Sequence, residues 1–177
     1  MAGCGKIEGA FCDQGNQGDR PLTIVHTTFW TLCLIKDGDR VLLIDRQHDD
    51  FKGFIPPGGK VEFPESFSEA AIREVKEETG LEVKNLQYKG IYEYVNPERM
   101  ERLIIFNYLA TKFTGELLKK PAEGIPTWIA LSDVPGLPMQ ASIRRRFPYL
   151  LREGTFEIHV KWDESRGCEG DVSITFT

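Results

Sequence analysis

The chain has 177 residues, 41% of them hydrophobic, and a formal net charge of -5 from 22 basic and 27 acidic side chains. That suits one globular domain with a sizeable core, and it excludes the basic stripe of a nucleic-acid-binding surface. No apolar run approaches the roughly 18 residues that a bilayer-spanning helix needs. The start, "MAGCGKIEGAFCDQGNQGD", has neither the basic residues nor the apolar core of a signal peptide, so a cytoplasmic location is expected. Cys4, Cys12, Cys33 and Cys168 match neither a zinc spacing nor a disulfide framework.

In chain order, residues 1–22 are rich in Gly, Gln and Asp and read as a flexible arm, leaving residues 23–177 as a single domain. "TIVHTTFWTLCLI" (Thr23–Ile35) is β-branched and aromatic, and "KDGDR" after it carries an Asp-Gly turn signal. "RVLLIDR" (Arg40–Arg46) is the short apolar run of a strand buried on both faces. "GFIPPGG" predicts irregular backbone, since proline removes donors and glycine admits positive φ. Ser66 and Glu69 form a capping box, and Gly80 followed by Leu81 fits a glycine C-cap, which brackets a helix over 67–79. Strands are expected at about 82–95 and 102–113, then one in "IPTWIALSDVPGLP" ahead of a proline-broken loop. "MQASIRRRFPYLLREG" reads as a second helix containing Pro148, with "IRRR" as its solvated face. "TFEIHVKW" and "DVSITFT" form a closing hairpin at about 153–177, placed to cover a sheet edge or to pair with a second subunit as a homodimer. Strands mixed with two helices give an α/β sandwich.

The first helix carries an electrostatic oddity. At 100° per residue from Phe67, Ala70 falls at about 300° and Ala71 at about 40°, while Glu74, Glu77 and Glu78 fall at about 340°, 280° and 20°. The three glutamates thus continue the inward face rather than the solvated one. Like charges at i, i+4 cost roughly 0.2–0.5 kcal/mol per pair, and anions in the last turn oppose the helix dipole by about 0.3–1 kcal/mol each. A cation is needed to offset them. Carboxylate oxygens suit a hard divalent ion shared with substrate phosphates, Mg²⁺ or Mn²⁺.

The segment also resembles the signature of the Nudix hydrolases, G-x5-E-x7-R-E-U-x-E-E-x-G-U, with U a bulky aliphatic residue. Gly59, Glu65, Arg73, Glu74, Val75, Glu77, Glu78, Gly80 and Leu81 match it without departure. At about 6% usage per residue type, seven fixed identities arise by chance less than about once in 10⁸ windows. The resemblance implies an α/β/α sandwich with a mixed β-sheet between helices, and hydrolysis of a nucleotide substrate. It implies that Glu74, Glu77 and Glu78 bind Mg²⁺, with the Gly58 carbonyl as a further ligand. Arg73 and Glu65, with Gly59 and Gly80, would brace the loop–helix–loop. Glu74 or another of these carboxylates, Glu77 included, would activate the attacking water.

"PPGGKVE" and "AEGIPTWIALSDVPGLPM" resemble the MutT-type branch, which converts nucleoside triphosphates to monophosphate and pyrophosphate. That likeness implies an oxidised purine such as 8-oxo-dGTP, or a guanine nucleotide, as substrate. It makes Glu123 a further metal ligand or an ordinary loop glutamate, and Arg46 and Lys60 phosphate contacts or plain surface cations. Gln140 is the expected reader of the base, with Phe29, Trp30 and Phe106 as aromatic stackers or core residues. The motif is shared with enzymes acting on alarmones, dinucleoside polyphosphates and RNA 5′ ends, and a non-enzymatic nucleotide sensor is the reading from another class.

Overall fold

The computed structural model describes residues 24–46, 52–119 and 121–177. The expected arm at 1–22, with Cys4 and Cys12, lies outside the described residues. Strand β1 (His26–Asp37) turns at Gly38, whose φ of 59° suits the two-residue loop, into β2 (Arg40–Arg46). As expected, Val41, Leu42, Leu43 and Ile44 of β2 are buried on both faces. Beyond the turn the two strands diverge. The outer part of β2 pairs with β3 (Gly53–Ile55), a strand where the sequence predicts irregular chain. Gly53 at φ 110° lets the Phe54 N–H reach the Pro138 carbonyl at 2.8 Å while the ladder with β2 forms.

Helix α1 (Phe67–Thr79) has the predicted limits. Ser66 accepts from the Glu69 N–H, the Glu69 carboxylate accepts from the Ser66 N–H, and Gly80 ends the helix at φ 81°. The stretch expected as one strand after it divides into β4 (Glu82–Lys84) and β5 (Gln87–Asn96), since Asn85 turns the chain with φ 55°. The next divides likewise into β6 (Glu101–Ala110) and β7 (Lys112–Thr114), and β4 pairs with β7 as a small separate sheet. Strand β8 (Ile125–Ala130) joins the free edge of β2, and a short 3-10 turn (Val134–Gly136) leads to helix α2 (Ala141–Leu151). Pro148 lies on the exposed side of α2, and the helix continues through it. The closing hairpin, β9 (Phe156–Asp163) and β10 (Cys168–Phe176), extends the sheet by parallel pairing of β9 with β5.

The sheet runs β10-β9-β5-β6-β1-β2-β3, with β8 branching from β2, and mixes parallel and antiparallel pairs. Alternation along β1 and β2 assigns the faces. Cys33, Ile35 and Leu42 pack with Ala71 and Val75 of α1, while Leu32, Leu34, Val41 and Leu43 pack with Ile143, Phe147 and Leu150 of α2. A helix therefore covers each face of a mixed sheet, which is the expected α/β/α arrangement.

Candidate active site

The divergence of β1 and β2 builds the site. Residues 57–61 fill the gap alongside β1, where Thr31 N–H donates to the Gly59 carbonyl and Cys33 N–H to the Pro57 carbonyl, each at 2.8 Å, and Val61 N–H donates back to the Phe29 carbonyl at 2.9 Å. This wedge leaves no room for side chains at its centre. A Cβ on Gly58 would lie 2.2 Å from the Thr31 carbonyl oxygen, and one on Gly59 would lie 2.4 Å from both Cδ and Oε1 of Glu74. The two glycines are thus explained separately, one by backbone approach and one by the carboxylate that fills the space of its missing side chain.

Arg73 ties the loop to the helix. Its Nε and Nη2 donate to the two oxygens of Glu65 at 3.0 and 2.7 Å, Nη2 also to the Lys60 carbonyl at 3.0 Å, and Nη1 to Glu74 Oε1 at 2.9 Å and Glu77 Oε2 at 3.2 Å. The Glu65 carboxylate additionally accepts from the Glu62 N–H, and the Arg73 hydrogen bonds hold it at about 2. Glu78 is buried, and its Oε2 accepts from the Gly58 N–H at 2.8 Å.

The acidic groups differ in surroundings. Burial pushes the Glu78 carboxyl well above the usual carboxylate range, and the neighbouring Glu123 and Glu74 push the same way against the Gly58 N–H. Burial also raises Glu74, opposed by the Arg73 hydrogen bond. Glu77 is different: its side chain is 59% exposed, so only Glu74 and Glu78 follow the inward face that the helical wheel gave to all three. Glu123 is brought to this end of α1 by the strand it precedes, since Gly124 packs so close to the Asp45 carbonyl that a Cβ would sit 2.4 Å away. Arg46, at the end of β2, stands 3.6 Å from Glu123. Among the described residues no three acidic, histidine or cysteine side chains form a closed ligand shell. Arg73 holds Glu74 and Glu77, and Gly58 holds Glu78.

The other expected residues scatter. Lys60 is exposed and bridges Trp30 through its backbone. Gln140 is half-buried at the start of α2, in a loop that lies against β3 through Pro138. Phe29 and Phe106 both pack on Phe67 of α1, with ring centroids 5.7 and 3.7 Å away, and are engaged on that face. Trp30 points to the opposite face and stays partly exposed. "IRRR" is not one solvated face: Arg144 is exposed, but Arg146 is 3% exposed because it turns under the helix onto Tyr92. The physical need for Gly124 is visible only across strands, where the Asp45 carbonyl occupies the space a Cβ would take.

The donor set suits a divalent ion. It consists of carboxylate oxygens, two of them desolvated and crowded against a third, an arrangement that an oxygen-seeking cation would relieve. Among the described residues no helix is long and apolar enough to cross a membrane.

Comparison with known proteins agrees with this geometry. "Uncharacterized Nudix hydrolase YvcI" of Bacillus subtilis (strain 168) is 31% identical over 112 residues, covering 62% of this chain and 70% of that protein. "Putative 8-oxo-dGTP diphosphatase YtkD" of the same organism is 34% identical over 145 residues, 81% of this chain and 84% of the relative. The crystal structure of a MutT protein from Bacillus halodurans superposes with a TM-score of 0.70 at 29% identity, over 83% of this chain and 97% of that one. Residues 26–150 match the NUDIX domain, and the chain belongs to the Nudix hydrolases, enzymes that act on pyrophosphate bonds of nucleotide derivatives.

Proposed function

We propose that this chain is a Mg²⁺-dependent nucleoside triphosphate pyrophosphohydrolase acting on an oxidised purine nucleotide such as 8-oxo-dGTP, or on a guanine nucleotide, and releasing monophosphate and pyrophosphate. The observation that carries the reading is the meeting of Glu74, Glu78 and Glu123 at the Gly58–Gly59 turn, with Arg46 beside them. The similarity to YtkD supports the substrate class.

Glu74, Glu77, Glu78, Glu123 and the Gly58 carbonyl would hold the ion. When bound, the ion supplies Lewis acidity and a counter-charge for the phosphates. Glu74 takes the proton of the attacking water as the new O–P bond forms and the bridging P–O bond breaks, and pyrophosphate leaves. Arg46 and Lys60 offer N–H donors to the phosphate oxygens. Arg73, braced by Glu65, keeps Glu74 and Glu77 on one side of the turn, so little reorganisation is required during the reaction. Gln140 faces the base with an amide that both donates and accepts.

The test is a panel of nucleotides with Mg²⁺ that includes 8-oxo-dGTP, dGTP, a guanosine tetraphosphate, a dinucleoside polyphosphate and a 5′-triphosphorylated RNA. Preferential release of pyrophosphate from 8-oxo-dGTP or dGTP is expected. Turnover confined to another member would move the substrate, and tight binding without turnover of any would replace the enzyme with a sensor.

A further inference from the structure

Arg146 has surroundings that the proposed reaction does not use. It lies on the inner side of α2, 3% exposed, with its guanidinium carbon 4.6 Å from the Tyr92 ring centroid. Its Nε and Nη1 find no hydrogen-bond acceptor among the described residues. The neighbouring carboxylate does not supply one. Both oxygens of Glu169, on β10, are engaged, one by the Tyr92 O–H at 3.4 Å and the other by Arg145 Nη2 at 2.5 Å. A desolvated charged donor without an acceptor is costly, and the cation–π contact with Tyr92 offsets only part of that cost.

Sheet register places this group. Tyr92, Ile105 and Trp30 form one row on the α2 face, and Tyr94, Leu103 and Thr28 form the next, about 7 Å along the strands. Tyr94, Leu103 and Thr28 line a cavity of about 240 Å³. Trp30 in turn bridges Lys60, so Tyr92 stands three strand spacings, about 14 Å, from the turn that carries Gly58 and Gly59. That is the reach of an extended nucleoside triphosphate with its phosphates at the turn.

We propose that Arg146 is a specificity-determining residue, donating to the 6-oxo group of a purine base held on the α2 face of the sheet. The inference rests on the substrate being a nucleotide, as proposed above. Guanine and its 8-oxo derivative present an acceptor at this position, whereas adenine presents an amino donor, which would set donor against donor. The hairpin that follows the NUDIX-matched residues contributes directly, because Glu169 occupies Arg145 and Tyr92 and leaves Arg146 for the ligand.

The experiment measures equilibrium binding of GMP and AMP to the wild-type protein and to Arg146→Met and Arg146→Lys, with thermal unfolding of each. Wild type should prefer GMP by about 10–100-fold, and Arg146→Met should collapse that ratio toward one. Arg146→Lys, which keeps a donor, should retain part of it. Equal binding of GMP and AMP by wild type, or an equal loss for both in Arg146→Met, would overturn the proposal. If Arg146→Met does not fold, an unchanged ratio in Arg146→Lys overturns it instead. Hydrolysis is scored separately: a GMP preference that depends on Arg146, in a protein that cleaves no nucleoside triphosphate, sinks the proposed reaction and leaves this inference standing.

Discussion

Gly59→Ala isolates the position of one carboxylate. The added Cβ would lie 2.4 Å from Cδ and Oε1 and 2.5 Å from Oε2 of Glu74, where ordinary contact starts at 3.4 Å, so the carboxylate must retreat by about 1 Å. The obstacle is the end of a flexible side chain, and the backbone need not move. The stability cost is then close to one charge-assisted hydrogen bond, that from Arg73 Nη1, or about 1.5–3 kcal/mol and a Tm lower by about 3–12 °C. The catalytic cost is larger, since a 1 Å displacement of a reacting group lowers the rate by about 100-fold. Gly58→Ala is the control. Its Cβ meets the Thr31 carbonyl oxygen at 2.2 Å and the Leu32 Cα at 2.8 Å, both backbone, so it should destabilise by more than about 3 kcal/mol. The assay pairs steady-state hydrolysis of the best nucleotide with thermal unfolding. Gly59→Ala with kcat/KM within about threefold of wild type would refute the role given to Glu74.

Glu78→Gln keeps an acceptor for the Gly58 N–H but removes an ionisable, desolvated carboxyl beside Glu74 and Glu123 that a metal would bind, so kcat should fall at least about 100-fold while Tm without metal holds or rises; full activity would sink its assignment as a metal ligand. Mg²⁺ should raise the wild-type Tm in a concentration-dependent way, and the shift should vanish in Glu78→Gln, as read by differential scanning fluorimetry. Arg73→Ala leaves Glu65 and Glu74 without their guanidinium partner and should lower the midpoint of urea denaturation, with a loss of activity that free guanidinium does not restore. Because Arg73 holds Glu65 at about 2, below its unfolded value, the pair stabilises the fold above the unfolded pKa and that contribution fades as pH falls through about 2. The Tm gap between wild type and Glu65→Gln should therefore close between roughly pH 4.5 and 2; a gap that stays constant would contradict the pairing.

Local chemistry makes α1 legible from the chain alone. Ser66, Glu69 and Gly80 are short-range signals whose hydrogen bonds span four residues or fewer, and both ends of the helix fall where they point. The β1–β2 turn and the buried run of β2 are of the same kind. The site is half legible. The unbroken motif gives Glu65, Arg73, Glu74 and Glu78, all at fixed spacing on one loop and helix. Glu77 matches as well, yet its exposure depends on how far α1 rolls against the sheet, which no wheel records.

The helix, its caps and the acidic chemistry of its last turns follow from the chain alone, because each rests on neighbours along it. That Gly53–Ile55 is a strand depends on long-range packing, since its ladder and the Pro138 carbonyl come from distant segments. Long-range packing also brings Glu123 to Glu78, through the approach of Gly124 to the end of β2. The same holds for Arg146, which reads as one of three surface arginines until α2 is set on the sheet. Tyr92 and Glu169, 77 residues apart, then define its surroundings.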